Sequence, residues 1–324
     1  MDSRDKLEIS EEARGMTVSG DIPDFDYGVI WEDPIRGHKV GCLDATSRAD
    51  VVQLMNGRKA TLAIQDPPYN IDIGGVFANM PIDDYIKWSE KWVDNTITAL
   101  DTNASLYIWL GADIKKGFQP LPDFMIMMRS KPVETRNCIT MRNQRGYGTQ
   151  KNWMAVRQEL LYYTKGNPPF HVQYTNIPKK TKGYYKVVNG KRTENLERSK
   201  SRYIRPGNVW FDIQQVFYLL EENVEGCYVQ KPLKAIERIM HANSSEGDLV
   251  IDFFAHSGTT LLQAEISKRQ CYTMDISPDY CRIAVERLLH YRTTGKLGWG
   301  RTKVLEKGSI VKRSHAKQPA LFES

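Results

Sequence analysis

Asp66-Pro67-Pro68-Tyr69 sets a carboxylate, two prolines and an aromatic ring in four consecutive positions. The preceding run, Thr61 to Gln65, is short and mostly apolar, which predicts a buried strand ending in a rigid turn. At the end of a strand these groups present a fixed acceptor, a carbonyl whose geometry proline locks, and a flat stacking surface. Such a set could hold an extruded nucleobase by its exocyclic amine. The same residues also make an ordinary proline-rich turn capped by a core tyrosine, and four positions alone do not separate the two.

A second stretch narrows the choice. Leu249 to Phe254 is apolar except for Asp252 and predicts a strand; Ala255-His256-Ser257-Gly258-Thr259-Thr260 follows, then a helical pattern from Leu261 to Ser267. Gln270 to Met274 reads as a further strand ending in Asp275. Ser277, Pro278 and Asp279 supply an N-cap, a first-turn proline and a first-turn acid. The helix after them carries Tyr280, Ile283, Ala284, Arg287, Leu288 and Tyr291 at helical spacing. This is a strand–loop–helix–strand–helix unit of the nucleotide-binding kind, with an acid at the end of its second strand suited to ribose hydroxyls. The helix beginning near Thr259 offers orphan N–H groups and a positive dipole end to an anion. A phosphate-binding loop would need a lysine before the hydroxyl residue, and a dinucleotide fingerprint needs three glycines in register; only Gly258 is present. The stretch instead resembles the methionine-binding loop of enzymes that use S-adenosylmethionine, a ligand with a carboxylate for the helix terminus and a ribose for Asp275.

Together the two stretches resemble the β-class of amino DNA methyltransferases, of the restriction–modification or solitary type. That family runs Asp-Pro-Pro-Tyr, a target-recognition region and a Phe-x-Gly-x-Gly cofactor loop, in the order found here. Further pieces match. Gln230-Lys231-Pro232 precedes a helix with Leu233, Ile236, Ile239 and Met240. His38 to Asp44 resembles the segment whose aspartate lies beside the cofactor adenine, while Leu106 to Trp109, Glu159 to Tyr163 and Pro206 to Trp210 resemble the family's remaining strands. The resemblance spans about residues 28 to 292. It implies a Rossmann-like, doubly wound α/β fold with a mixed sheet and a target-recognition insertion. It also implies a catalytic set of Asp66, Pro67, Pro68 and Tyr69, and a cofactor set of Asp44, Lys231, Asp252, Phe254, Ala255, His256, Ser257, Gly258, Thr259, Thr260 and Asp275. Two positions depart from the pattern: His256 replaces the first cofactor-loop glycine, and Leu43 the glycine before Asp44. Histidine tolerates the left-handed region better than β-branched residues do, so the loop geometry is expected to survive, with the ring turned to solvent and cofactor binding weakened.

The implied reaction is methylation of adenine N6. The amine lone pair is delocalised into the ring, so Asp66 and the Pro67 carbonyl would each accept one N6 hydrogen and favour a pyramidal nitrogen. Alignment of this kind can contribute roughly 7–11 kcal/mol. Asp66 would also stabilise positive charge developing on nitrogen in a pocket without water, and Tyr69 would stack on the extruded base. An aspartate at the first motif position resembles the adenine-N6 group more than the cytosine-N4 group, which usually has serine there. Cytosine-N4 methylation, RNA adenine methylation and a noncatalytic DNA-binding subunit of the same fold remain alternatives.

Charge localises a partner. The 324 residues carry a net charge of +6, yet Lys179, Lys180, Lys182, Lys186, Lys191, Arg192, Arg198, Lys200, Arg202 and Arg205 fall in one segment against only Glu194 and Glu197. Tyr174, Tyr184, Tyr185 and Tyr203 are interleaved. In the recognition region these cations are expected to grip double-stranded DNA through its phosphates, with salt-sensitive affinity. A second polar stretch, Met141 to Asn152, is a candidate loop near the target base. Ile82 to Leu100 predicts an amphipathic helix for core packing, with a homodimer interface as a further option. Five scattered cysteines without metal spacing point to reduced thiols and no metal site. No apolar run is long enough for a membrane span and no leader is seen, so a cytoplasmic, nucleoid-associated protein is expected. The expected division is a flexible segment 1–20, a catalytic half 21–164, a target-recognition region 165–225, a cofactor-binding half 226–300 and a basic tail 301–324. Near the tail's end Gln318, Leu321 and Phe322 resemble a short peptide that docks on the replication sliding clamp, or a chance apolar end.

Overall fold

The computed structural model describes residues 22–71, 80–147, 151–179, 185–194, 201–216, 219–227 and 229–299. Short apolar runs become the strands β1 (Ile30–Glu32), β2 (Lys39–Cys42) and β3 (Ala60–Gln65), with helix α1 (Arg48–Met55) before β3. Then come α2 (Ile82–Ala99), β4 (Leu100–Leu110), the two-residue strands β5 (Ala112–Asp113) and β6 (Gln119–Pro120), and α3 (Leu121–Met128). A long hairpin follows, β7 (Glu134–Tyr147) and β8 (Ala155–Lys165), and a small one, β9 (Tyr185–Val188) and β10 (Lys191–Glu194). The chain closes with β11 (Val209–Trp210), α4 (Leu233–Asn243), β12 (Leu249–Asp252), α5 (Thr259–Ile266), β13 (Gln270–Asp275) and α6 (Pro278–Thr294).

Nine of these strands form one mixed sheet in the order β1-β2-β13-β12-β3-β4-β8-β7-β11. The stretch from β2 to β4 is parallel, and β8 runs antiparallel to both of its neighbours. Parallel strands covered on both faces read as continuous apolar runs, which is why β3 and β12 show no alternation. On one face α4, α5 and α6 bury Ile236, Ile239, Leu261, Ala284 and Leu288; on the other α1, α2 and α3 bury Leu54, Trp92, Ile97 and Phe124. The α2 stripe is therefore spent on the core, as expected of it first.

β3 and β12 are neighbours whose onward connections part: β3 leads through α2 to β4, while β12 leads through α5 on the opposite face to β13. A crevice opens at the carboxyl ends of strands where the connections diverge in this way. Asp66 follows β3 and the Phe253–Thr259 turn follows β12, so both chemistry-bearing motifs open into that crevice.

Candidate active site

Gln65, the fully buried last residue of β3, accepts the Phe253 N–H at 2.9 Å. That bond ties the end of β3 to the end of β12 and sets the two motif loops against each other. One oxygen of Asp66 accepts the Tyr69 hydroxyl at 2.8 Å and the other the Lys231 ammonium at 2.9 Å. The same ammonium lies 5.1 Å from the Tyr69 ring centre and 5.4 Å from that of Trp109. A cation is thus caged by one carboxylate and two aromatic faces. Burial, followed by the charge of Asp66, raises the Tyr69 phenol well above its ordinary range, so it remains the donor.

The loop is held from behind. Tyr85 of α2 donates its hydroxyl to the Pro68 carbonyl at 2.6 Å. Asn70, at φ 55°, clasps Met80 through both its amide oxygen (2.7 Å) and its amide nitrogen (3.0 Å). Gly111, just past β4, leaves space for the motif ring: a Cβ there would lie 2.7 Å from Tyr69 Cδ2.

The loop after β12 turns through two left-handed residues, His256 at φ 44° and Gly258 at φ 68°. At Gly258 a side chain is excluded as well, because a Cβ would meet Ala284 Cα of α6 at 2.8 Å. His256 keeps the left-handed turn expected of it, but its ring does not point to solvent. It is half-buried, lines the cleft and meets Tyr280 edge-on at 4.7 Å, because the turn sets it against the first turn of α6. Burial lowers its pKa to about 4, which keeps it neutral near pH 7. Leu43 also leaves the cofactor path: it is buried in the core beside Gly41.

Asp275 accepts the His256 N–H at 3.0 Å and the Ser277 N–H at 2.9 Å, so it shapes the loop, and burial raises its pKa to about 6. Asp252 accepts the Phe254 N–H at 3.0 Å, and burial raises its pKa to about 8, leaving the carboxyl mostly protonated at neutral pH. Asp44 takes the backbone N–H and the hydroxyl of Thr46, each at 2.8 Å. Asp66, Asp252, Asp275 and Asp44 therefore follow one another along the carboxyl ends of β3, β12, β13 and β2. Behind the loop the fully buried Arg287 donates to the Ser257 carbonyl at 2.9 Å and the Thr259 hydroxyl at 3.1 Å, and burial lowers its pKa to about 10.

A narrow cleft joins the two motifs. Of the expected set, Asp66, Lys231, Asp252, Phe254, Ala255, His256, Ser257, Thr259 and Thr260 line it, joined by Trp109 from the Leu106–Trp109 stretch, one of the strands from which the resemblance implies further pocket residues. Asp44 and Asp275 stand on the next strands over, outside that lining. The donors and acceptors fit S-adenosylmethionine. The first turn of α5 offers N–H groups to a carboxylate, the neutral Asp252 adds no repulsion, and Asp275 retains lone pairs for hydroxyls. Two buried donors beside the crevice, Gln65 Nε2 and Trp109 Nε1, have no hydrogen-bond partner among the described residues.

In the basic segment the chain doubles back: Lys179 N–H donates to the Arg202 carbonyl at 2.9 Å, and Pro178 bridges Tyr203. Arg202 stacks over Tyr203 at 5.0 Å, and Arg205 is exposed just beyond it. The β9–β10 hairpin carries Lys186, Lys191 and Arg192, the last two exposed. Lys180, Lys182, Arg198 and Lys200 lie outside the described residues, as do Gln318, Leu321 and Phe322.

Residues 60–286 match a family described as DNA methylase, comprising N6 and N4 methyltransferases. The chain belongs to the DNA methylase family. This methyltransferase is 28% identical over 231 residues to the type II methyltransferase M.HpaI of Haemophilus parainfluenzae, covering 70% of this chain and 67% of that one. It is 26% identical over 260 residues to the DNA adenine methyltransferase YhdJ of Escherichia coli K12, covering 78% and 84%. Its fold is similar to that of a Thermus thermophilus protein described as a DNA modification methylase and solved with S-adenosyl-L-methionine, at TM-score 0.52 and 20% identity over 82% of this chain and all of that one. The doubly wound methyltransferase fold expected from the motifs is the fold observed. Among the described residues no helix is long and apolar enough to cross a membrane, and all five cysteines are free thiols.

Proposed function

We propose that this DNA methyltransferase modifies the N6 amine of an adenine extruded from a specific duplex sequence, in a restriction–modification system or as a solitary enzyme. Bound S-adenosylmethionine supplies the electrophilic methyl group. The observation that carries the N6 reading is Asp66 at the end of β3, its carboxylate open to the cleft and backed by the rigid Pro67-Pro68 turn. Both of its oxygens are engaged, by Tyr69 and Lys231, yet each retains a lone pair for an amine hydrogen. Pro67 contributes a second acceptor, its carbonyl. The Asp66 carboxylate and the Tyr69 and Trp109 faces that hold the Lys231 ammonium would attract positive charge developing on the amine nitrogen in its place, with the ammonium moving aside as the base enters. Tyr69 and Trp109 offer the flat faces a base needs once it has left the stack. Similarity to YhdJ, named as an adenine enzyme, points the same way.

The test is expression in a host without DNA methylation, followed by sequencing with modification detection, beside Asp66→Ala. Methyladenine at one short motif, absent in the variant, is the expected result. Modified cytosine would move the assignment to N4, and unmarked DNA from folded protein would reject the reading.

A further inference from the structure

We infer that the β7–β8 hairpin is a DNA-entering arm whose Trp153, two residues before the outermost pairing of β8 and flanked by Met154, inserts into the base stack beside the extruded target. This deepens the DNA reading above and rests on it. Trp153 is 93% exposed and Met154 65% exposed. An indole left almost wholly in water contributes nothing to the core and is available to a partner.

Register fixes where the arm goes. Gln65, next to the catalytic aspartate, pairs with Ile108 of β4; in β4, Trp109 of the cleft wall pairs with Leu160 of β8. β8 runs antiparallel to β4, so the stretch before Leu160 continues past the end of the sheet that bears Asp66. From Leu160 back to Ala155, where the hairpin's last pairing joins Tyr147, is five residues, roughly 17 Å of strand. Trp153 lies beyond that point. The arm therefore projects from the catalytic end of the sheet far enough to reach the stack of a duplex whose major groove is about 8.5 Å deep.

Its composition suits one partner. From Thr140 to Arg157 the chain carries Arg142, Arg145, Lys151 and Arg157 and no acidic residue, with amides at Asn143, Gln144, Gln150 and Asn152. Cations and amides on either side of Trp153 and Met154 in the sequence match phosphates and base edges around an opened step. The nearest carboxylate, Glu159, is already paired with Arg157 at 2.6 Å, which leaves Arg142, Arg145 and Lys151 as the cations offered to a polyanion.

The experiment compares wild type, Trp153→Ala and Trp153→Phe on duplexes carrying the motif mapped by sequencing, with the target normally paired, opposite an abasic position, or replaced by fluorescent 2-aminopurine. Trp153→Ala should raise KM for paired duplex about tenfold or more and lower the 2-aminopurine signal, with cofactor Kd unchanged. The abasic duplex, already unpaired, should restore it, and Trp153→Phe should retain most of the function. Wild-type behaviour of Trp153→Ala on paired duplex overturns the inference, and so does a loss the abasic duplex does not relieve. Failure of wild type to methylate any DNA rejects the underlying reading instead, and the arm's role with it.

Discussion

Asp66 is held by two side chains at once, and its aim depends on the space given to Tyr69. Gly111→Ala would drive a methyl group against both the Tyr69 ring and Ile71. The expected result is a fall in kcat/KM for DNA of about 10–100-fold, the scale set by small misplacements of catalytic groups; calorimetry should find cofactor affinity unchanged, and a parallel loss of both would contradict it. Asp252 makes a pH prediction. Its carboxyl ionises near 3.8 when unperturbed and near 8 in the fold, so its contribution to stability is complete below the lower value and lost as pH rises through the upper one. Asn cannot ionise and keeps the acceptor for the Phe254 N–H. Asp252→Asn should therefore gain stability relative to wild type as pH rises from about 5 to about 8, by roughly 4 kcal/mol, and hold that gain up to about pH 9. Thermal melts across that range check it; a constant difference would refute it. At this scale the sequence is readable wherever chemistry sits in consecutive residues, as in Asp66 to Tyr69. Lys231 reads from its motif as a cofactor residue, whereas its ammonium meets Asp66, Tyr69 and Trp109, and the pairing with Asp66 spans 165 residues that no local spacing bridges. Gln65 leaves one signal, a lone amide ending an apolar strand.

Elements do the positioning. α2 is legible as an amphipathic helix, but its Tyr85 counts with the apolar stripe although its hydroxyl fixes the Pro68 carbonyl. Tyr85→Phe keeps the packing and removes one hydrogen bond, a change of about 1 kcal/mol. The expected outcome is a several-fold lower kcat with melting temperature nearly unchanged; unchanged single-turnover rates would show that the loop needs no such support. Arg287 reads in the same way, as one position of the helix after Ser277, while its guanidinium anchors the turn after β12. In both cases periodicity identifies the face of the helix correctly and says nothing of the single polar atom that reaches a distant backbone group. Of the long hairpin only the Glu159–Tyr163 part of β8 is visible in the sequence; Met141 to Asn152 reads as a loop, whereas Met141 to Tyr147 belongs to β7, because its polar residues pair across the sheet by a register that local composition does not reveal.

For the whole molecule, the order of motifs is enough to imply the sheet class and the place of the crevice, because diverging connections at β3 and β12 leave few other solutions. The basic segment is legible as charge, but its three-dimensional form is not. Lys191 and Arg192 stand on a separate two-stranded hairpin of its own register. Replacing both with alanine should weaken DNA binding across sequences and reduce the slope of log affinity against log salt by roughly 0.9 for each phosphate no longer neutralised. Titrations at several salt concentrations check this; an unchanged slope would move the phosphate grip elsewhere, for example to the β7–β8 arm.

The bond from Phe253 to Gln65 joins neighbours in space that are 188 residues apart in the chain. A ribosome adding about 5–20 residues per second takes roughly 10–40 s to make that span. During that interval β3 waits with its future partner strand unmade, its apolar edge exposed to chaperones and to other nascent chains. Asp66 and its strand are thus made early and kept without the Phe253–Thr259 turn until β12 emerges. A message cut short, or a stalled ribosome, releases a protein that carries the basic segment but has no site from which to mark DNA.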